Sequence, residues 1–89
     1  MVILQSARFG RSVKKLHPNQ KKILDQAIRK ISLQPKIGQA KVGDLTGIYI
    51  YKFKLGSLNW LLASEFKSKD EITLLLVGPH ENFYKSLKR

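Results

Sequence analysis

The spacing of hydrophobic residues changes partway along the chain, and this change divides the sequence into two regions. In the N-terminal region, apolar residues recur every three or four positions, which is typical of helices. In the C-terminal region, they alternate with polar residues or form short uninterrupted runs, which is typical of strands. The pattern therefore predicts a helical region followed by a sheet.

The first predicted elements are a short strand and a helix. Val2–Gln5 is a strand candidate that is too brief to stand alone. Ser6 can cap the helix that follows, because a serine hydroxyl can accept a hydrogen bond from an amide of the first turn. Phe9, Val13 and Leu16 have the spacing of one helical stripe, which we expect to face the core.

A second helix is predicted from about Pro18 to Leu33. His17 ends the first helix, because the residue before a proline avoids the helical region, and Pro35 stops the second. One face of the second helix is apolar and consists of Ile23, Leu24, Ala27, Ile28 and Ile31. The short break between the helices predicts an α-hairpin whose apolar stripes face a common core.

Strands are predicted for most of the C-terminal region. Residues 36–46 have the pattern of a loop, with a brief extended stretch at 40–42. Ile48–Leu55 is rich in β-branched and aromatic residues, and Gly56 begins a tight turn into a second strand from Leu58 to about Phe66. A polar turn at 67–70 then leads into a third strand.

The third strand, Glu71–Val77, ends in four consecutive apolar residues, so we expect both of its faces to be covered. Gly78 is expected to adopt turn dihedral angles, and Pro79 is expected at the first position of a short helix. His80 and Tyr84, four residues apart, would then share one helix face.

The predicted order of elements is β-α-α-β-β-β-α in a single α+β domain, residues 1–89. It consists of an antiparallel meander, an N-terminal α-hairpin packed on one face, and a short C-terminal helix. Phe83 and Leu87 would pack that helix back on the sheet. A chain of 89 residues allows one modest core.

The charge of the chain indicates the kind of partner that it attracts. Seventeen Lys and Arg residues against six Asp and Glu residues give a net charge of +11. RNA, DNA, the ribosome or an acidic protein would all be attracted to such a surface. Without cysteine and with two histidines, we expect no metal site and no cofactor. No stretch approaches a membrane span or a signal peptide, so we expect a cytoplasmic protein without membrane contact.

Two lysines are candidates for holding a phosphate. Lys52 and Lys54 alternate with Tyr51 and Phe53, so they share the strand face opposite the one that the helices would cover. Their side chains would project about 7 Å apart, roughly the spacing of successive phosphates. They could clamp a nucleic-acid backbone and stabilise developing charge. A solvated strand face with lysines for solubility is equally compatible with the pattern.

His80 is the candidate for proton transfer, because histidine is the side chain that exchanges a proton near neutral pH. A helix-start histidine bonded to backbone is the alternative. The sequence has neither the serine elbow of hydrolases nor a P-loop. A metal-free ribonuclease needs only a base, an acid and cations around the phosphate, with the RNA 2′-hydroxyl as nucleophile.

Two segments, the predicted element order and the basicity resemble the RelE/ParE superfamily of bacterial type II toxins. The segments are Tyr51-Lys52-Phe53-Lys54-Leu55 and Gly78-Pro79-His80-Glu81-Asn82-Phe83-Tyr84, the latter near a Lys-Arg ending. The resemblance covers essentially the whole chain. It implies that Lys52 and Lys54 line an RNA site. It also implies that His80 transfers a proton and Tyr84 positions the substrate, as in the YafQ-type branch.

Some positions depart from the patterns of this superfamily. RelE-type sites carry an arginine on the strand that corresponds to Leu58–Phe66, a stretch that has none here. Leu61, or Trp60 with a shifted register, falls at that place. RelE also has an arginine where His80 stands. The further histidines and the aspartate of YafQ-type sites have no obvious counterparts.

The resemblance implies a toxin that cleaves translated mRNA at the ribosome without a metal ion and so inhibits translation. Its partners would be mRNA, the ribosome and a cognate antitoxin, which wraps the toxin with an acidic or hydrophobic segment. General attraction to ribosomal RNA would come from Arg8, Arg11, Lys14, Lys15, Lys21 and Lys22, whose alternative role is a solvated helix face. Two other functions stay open: a ParE-like inhibitor of DNA gyrase without nuclease activity, and a decayed toxin that only binds antitoxin.

Overall fold

Helices and strands account for most of residues 1–81 and 83–87, which the computed structural model describes. The elements are β1 (Val2–Gln5), α1 (Ala7–Lys14), α2 (Pro18–Leu33), β2 (Gln39–Ala40), β3 (Ile48–Leu55), β4 (Leu58–Ser68), β5 (Glu71–Pro79) and α3 (Phe83–Leu87), with a 3₁₀ turn at Gly43–Leu45. Asn82 and the Lys88-Arg89 ending, which belong to the segments quoted above, lie outside the described residues. Within the described residues, no helix is long and apolar enough to span a membrane.

The two N-terminal helices form as predicted. The Ser6 hydroxyl accepts a hydrogen bond from the Phe9 amide at 3.0 Å, which caps α1. The same hydroxyl donates a hydrogen bond to the carbonyl of Leu75 at 2.7 Å, so the cap also attaches α1 to β5. Leu24, Ala27 and Ile31 of α2 are buried, which confirms the predicted apolar face.

The five strands form one sheet in the order β1-β5-β4-β3-β2. The predicted meander of β3, β4 and β5 is confirmed, and Gly56 makes the turn between β3 and β4 with a φ of 65°. The predicted sheet was incomplete in two respects. β1 lies parallel to β5, and the two-residue strand β2 pairs with the outer edge of β3. The pairing of β1 joins segments that lie far apart in the sequence, which local periodicity does not reveal. β2 overlaps the extended stretch expected at 40–42 only at Ala40.

The sheet has a hydrophobic core on each face. The helix-side core, under α1 and α2, consists of Phe9, Leu24, Ala27, Ile31, Leu62, Ile72, Leu74 and Val77. The α3-side core consists of Ile48, Ile50, Leu61, Ala63, Leu76, Phe83 and Leu87. The prediction that both faces of β5 are covered is therefore confirmed, as is the packing of Phe83 and Leu87 on the sheet.

The end of β5 differs from the prediction. Gly78 and Pro79 continue the strand and pair with Leu61 and Trp60 of β4, and Gly78 does not have a positive φ. His80 precedes α3 instead of lying in its first turn. Pairing with β4 overrides the local turn signal here, since a proline at the end of a strand needs no amide donor.

The loop between α2 and β2 approaches the sheet closely at Gly38. This residue has a φ of 94°, a conformation that other residues rarely adopt. A Cβ atom at this position would overlap the carbonyl oxygen of Ile50 and lie 3.2 Å from the Cα of Tyr51. Glycine is therefore what allows the segment that contains β2 to lie against β3.

Replacing Gly38 tests this approach. We expect Gly38→Ala to lower the free energy of unfolding by about 3 kcal/mol, because backbone strain and overlap with β3 add together. Gly43→Ala is the matched control, since Gly43 has a φ of 68° and open space around its Cβ position. It should cost only about 1 kcal/mol in urea denaturation. Equal losses in the two variants would contradict a close approach at Gly38.

Candidate functional site

A cleft of about 360 Å³ lies beside the α3-side core, where the sheet is no longer covered by α3. Its lining residues are Ile37, Gly38, Gln39, Ile50, Tyr51, Lys52, Leu61, His80 and Tyr84. We call it the central cleft. Three of the four side chains predicted as catalytic, Lys52, His80 and Tyr84, are therefore brought together from three different elements.

The hydrogen bonding of the sheet fixes the positions of Lys52 and His80. Lys52 of β3 pairs with Leu61 of β4, which in turn pairs with Gly78 of β5. The amide of His80 donates a hydrogen bond to the carbonyl of Asn59 at 3.0 Å, which extends the β4–β5 pairing by one step. Since one strand separates them, the backbones of β3 and β5 lie about 10 Å apart.

The ring of Tyr84 is held by its neighbours on several sides. It makes edge contacts with the rings of His80, at 6.4 Å between centroids, and of Phe83, at 5.7 Å. The Lys41 ammonium lies 4.6 Å from the centre of the same ring. The prediction that His80 and Tyr84 share a helix face is therefore wrong, because His80 precedes α3. The turn between β5 and α3 still brings their rings together.

A second cavity adjoins the central cleft. This outer cleft has a volume of about 470 Å³ and is lined by Lys52, Leu58, Asn59, Pro79, His80 and Glu81. Because Lys52 and His80 line both cavities, they stand at the boundary between the two. An extended ligand could therefore pass between them from one cavity to the other.

Lys54 shares the exposed strand face of Lys52 but lines neither cavity. It pairs across the sheet with Asn59. Its role in holding a phosphate remains a prediction. Leu61, one of the two residues expected where RelE-type sites carry an arginine, is buried in the α3-side core. β4 therefore contributes an apolar side chain, and not a cation, to the wall of the central cleft.

The six basic residues predicted to attract ribosomal RNA are exposed and lie on or beside α1 and α2. These helices cover the sheet face opposite the one that carries Lys52. Arg8 also has a structural contact. Its guanidinium donates a hydrogen bond to the carbonyl of Ser86, which joins α1 to the last turn of α3.

The sequence patterns missed Gln39, Lys41 and Glu81, which line the cavities or contact their walls. Gly38, in the loop that follows Pro35, is a signal that could have indicated a close approach there. In the described part of the chain, no group of three or more His, Cys, Asp and Glu residues could hold a metal ion. The side chains present offer a cation, a proton-exchanging ring and an aromatic surface.

Comparison with solved structures shows what this fold is similar to. The free Escherichia coli toxin RelE, in a variant with two arginines replaced by alanine, superposes with a TM-score of 0.75 at 17% identity, over 98% of this chain and 90% of that one. RelE from the intact Escherichia coli RelBE toxin–antitoxin complex gives a TM-score of 0.70 at 21% identity, over 90% and 96%. The archaeal RelE–RelB complex from Pyrococcus horikoshii OT3 gives 0.57 at 14%, over 90% and 94%.

Comparison of sequences identifies the family of this chain but no individual relative. A search of curated proteins gave no match. Residues 3–88 match the profile of the ParE-like toxins of type II bacterial toxin–antitoxin systems. Since this match covers nearly all of the chain, the protein belongs to the family of ParE-like toxins of bacterial type II toxin–antitoxin systems.

Proposed function

We propose that this toxin is an endoribonuclease that cleaves mRNA during translation, at the ribosomal A site, and so inhibits protein synthesis. The observation that carries the proposal is the convergence of Lys52, His80 and Tyr84 on one cleft. A cation, a proton-exchanging side chain and an aromatic ring are the parts that metal-independent RNA cleavage requires. The similarity of the fold to RelE toxins also supports the proposed ribonuclease function.

The chemistry uses the 2′-hydroxyl of the RNA as the nucleophile. The 2′-hydroxyl gives up its proton to solvent water as its oxygen forms a new bond to the adjacent phosphorus. The bond from phosphorus to the 5′ oxygen breaks, which leaves a 2′,3′-cyclic phosphate on the upstream fragment. His80 acts as the general acid and donates a proton to the leaving 5′ oxygen. The Lys52 ammonium offsets the negative charge on the phosphate, with Lys54 as the second predicted cation, and Tyr84 stacks on or orients a base.

The proposal includes two kinds of partner. The similar RelE structures include complexes with the antitoxin RelB, and we propose that a cognate antitoxin wraps this chain with an acidic or hydrophobic segment. A net charge of +11 favours such a partner. We propose that the exposed lysines and arginines of α1 and α2 contact ribosomal RNA and that the protein acts in the cytoplasm, with translating ribosomes.

Inhibition of DNA gyrase is the second candidate function. Two observations favour it: the matched family is that of ParE-like toxins, and β4 provides Leu61 where RelE-type sites carry an arginine. A gyrase inhibitor would need no catalytic side chains. Cells that produce it would filament and accumulate DNA damage, while their mRNA would remain intact.

The nuclease is tested by inducing the protein in bacteria and mapping the 5′ ends of a translated reporter mRNA. We expect new 5′ ends in register with the reading frame. His80→Ala should reduce them by a factor of about 10² or more, because a positioned acid typically contributes that much. His17→Ala is the matched control: His17 lies in the break between α1 and α2, and its amide, which Ala retains, donates to Gln20.

Two results would contradict the nuclease proposal. Intact reporter mRNA in arrested cells with damaged DNA would favour the gyrase inhibitor. Full toxicity of a folded triple variant that carries His80→Ala, Lys52→Ala and Lys54→Ala would exclude the proposed catalytic residues.

Charge reversal on α2 tests the contact with ribosomal RNA. We expect Lys21→Glu with Lys22→Glu to weaken ribosome binding and to lower the slope of log K against log salt by about 1 per lysine, because fewer counterions are released. Cosedimentation with ribosomes at several salt concentrations measures this. Lys69→Glu, in the β4–β5 turn, is the control for charge alone. An unchanged slope in the α2 variant would assign Lys21 and Lys22 to a merely solvated face.

A further inference from the structure

We infer that Lys41, which directly follows strand β2, is a substrate-binding residue of the central cleft. Its ammonium group positions the ring of Tyr84 and contacts a phosphate of the bound RNA. This inference rests on the proposed ribonuclease function. It also assigns a role to the short edge strand β2. The proposed catalytic residues lie on other elements and give β2 no part in the function.

The position of Lys41 is fixed by contacts of its backbone and its side chain. Its amide donates a hydrogen bond to the carbonyl of Ile48 at 3.0 Å, which holds it against the start of β3. The ammonium donates a hydrogen bond to Gln39 Oε1 at 3.3 Å and lies 4.6 Å from the centre of the Tyr84 ring. Gln39 and Tyr84 both line the central cleft, so Lys41 stands directly behind its wall.

The charge of Lys41 is available to a ligand. Among the described residues, the ion pair within 4.0 Å joins Lys67 to Glu65 and does not involve Lys41. No carboxylate of these residues therefore neutralises the Lys41 ammonium group. An ammonium group has three N–H donors, of which Gln39 takes one. The remaining donors can bind a phosphate oxygen beside Tyr84.

The lining of the central cleft contains little positive charge, so a second cation at this place would add to its hold on RNA. Leu61 gives the β4 wall no charge, and Lys54 lines neither cavity. Lys52 is therefore the lysine that lines the central cleft, on its β3 side. The Lys41 ammonium lies against Tyr84 at the β2 side of the same cleft. Once it turns toward the RNA, the two ammonium groups would hold the backbone from two sides.

The contact with Tyr84 suggests how binding proceeds. A cation over an aromatic ring is held more weakly than an ammonium group hydrogen-bonded to a phosphate. When RNA enters, the Lys41 ammonium turns from the ring toward a phosphate. The ring face that it covered then becomes free to stack on a base.

Binding of a fluorescently labelled single-stranded RNA oligonucleotide, measured at several salt concentrations, tests the phosphate contact. The proteins compared are the wild type, Lys41→Met, Lys41→Arg and the control Lys69→Met, which removes the same charge from the β4–β5 turn. For Lys41→Met we expect about tenfold weaker binding and a salt slope lower by about 0.7, the value for one phosphate contact on a single strand. Lys41→Arg and Lys69→Met should behave like the wild type.

The contact with Tyr84 is tested in the free protein by NMR. Ring currents should shift the ε-methylene protons of Lys41 upfield in the wild type, and Tyr84→Leu should return them to ordinary positions. The amide spectra of the same samples show that the variants are folded. Lys41 protons without a ring-current shift would overturn the positioning of Tyr84.

The outcomes separate this inference from the proposed function. If the wild type cleaves translated mRNA and Lys41→Met binds and cleaves equally well with the same salt slope, the role of Lys41 is overturned and the nuclease stands. If a folded Lys41→Arg fails as Lys41→Met does, the phosphate contact is overturned, because arginine keeps the charge. If the wild type neither binds RNA nor cleaves mRNA, both proposals fall.

Discussion

The limited reach of helix α3 determines where the site lies. Its two buried side chains, Phe83 and Leu87, are four residues apart and form a single stripe, so the helix covers only part of the sheet face beneath it. Past Leu61 the strands continue without a covering layer, and Lys52, Asn59 and His80 lie on that open part. The same helix carries Tyr84 at its margin. Helix α3 therefore both closes the α3-side core and completes the cleft.

The opposite wall of the cleft depends on a second constraint, the close approach of the chain at Gly38. A side chain there would collide with β3, so glycine permits β2 to pair with the edge of the sheet. That pairing places Gln39 and Lys41 next to Tyr84. The sheet supplies fixed backbone positions on both sides, and the side chains converge because their strands are hydrogen-bonded neighbours. Changes in either wall should thus alter the position of Tyr84.

Strong local patterns predicted much of this fold. The bounds of α2 and β3 follow from long periodic runs, and the Ser6 cap has a clear local signal. The patterns failed where distant pairing decides the structure. Gly78-Pro79 has the signature of a turn, yet both residues pair with β4. The convergence of Lys52, His80 and Tyr84 was expected from the residues and the resemblance. The contact of Lys41 with Tyr84 was not, because the extended stretch expected at 40–42 gave no sign of its pairing with β3.

The most direct test of the site is to map where RNA touches the protein. Amide chemical shifts of the isotopically labelled toxin would be followed by NMR during titration with a short single-stranded RNA. We expect the largest changes around Lys52, Asn59 and His80, on the open part of the sheet face, and in the segment from Gly38 to Lys41. Changes confined to the exposed faces of α1 and α2, with an unaffected cleft, would contradict a catalytic role for this site.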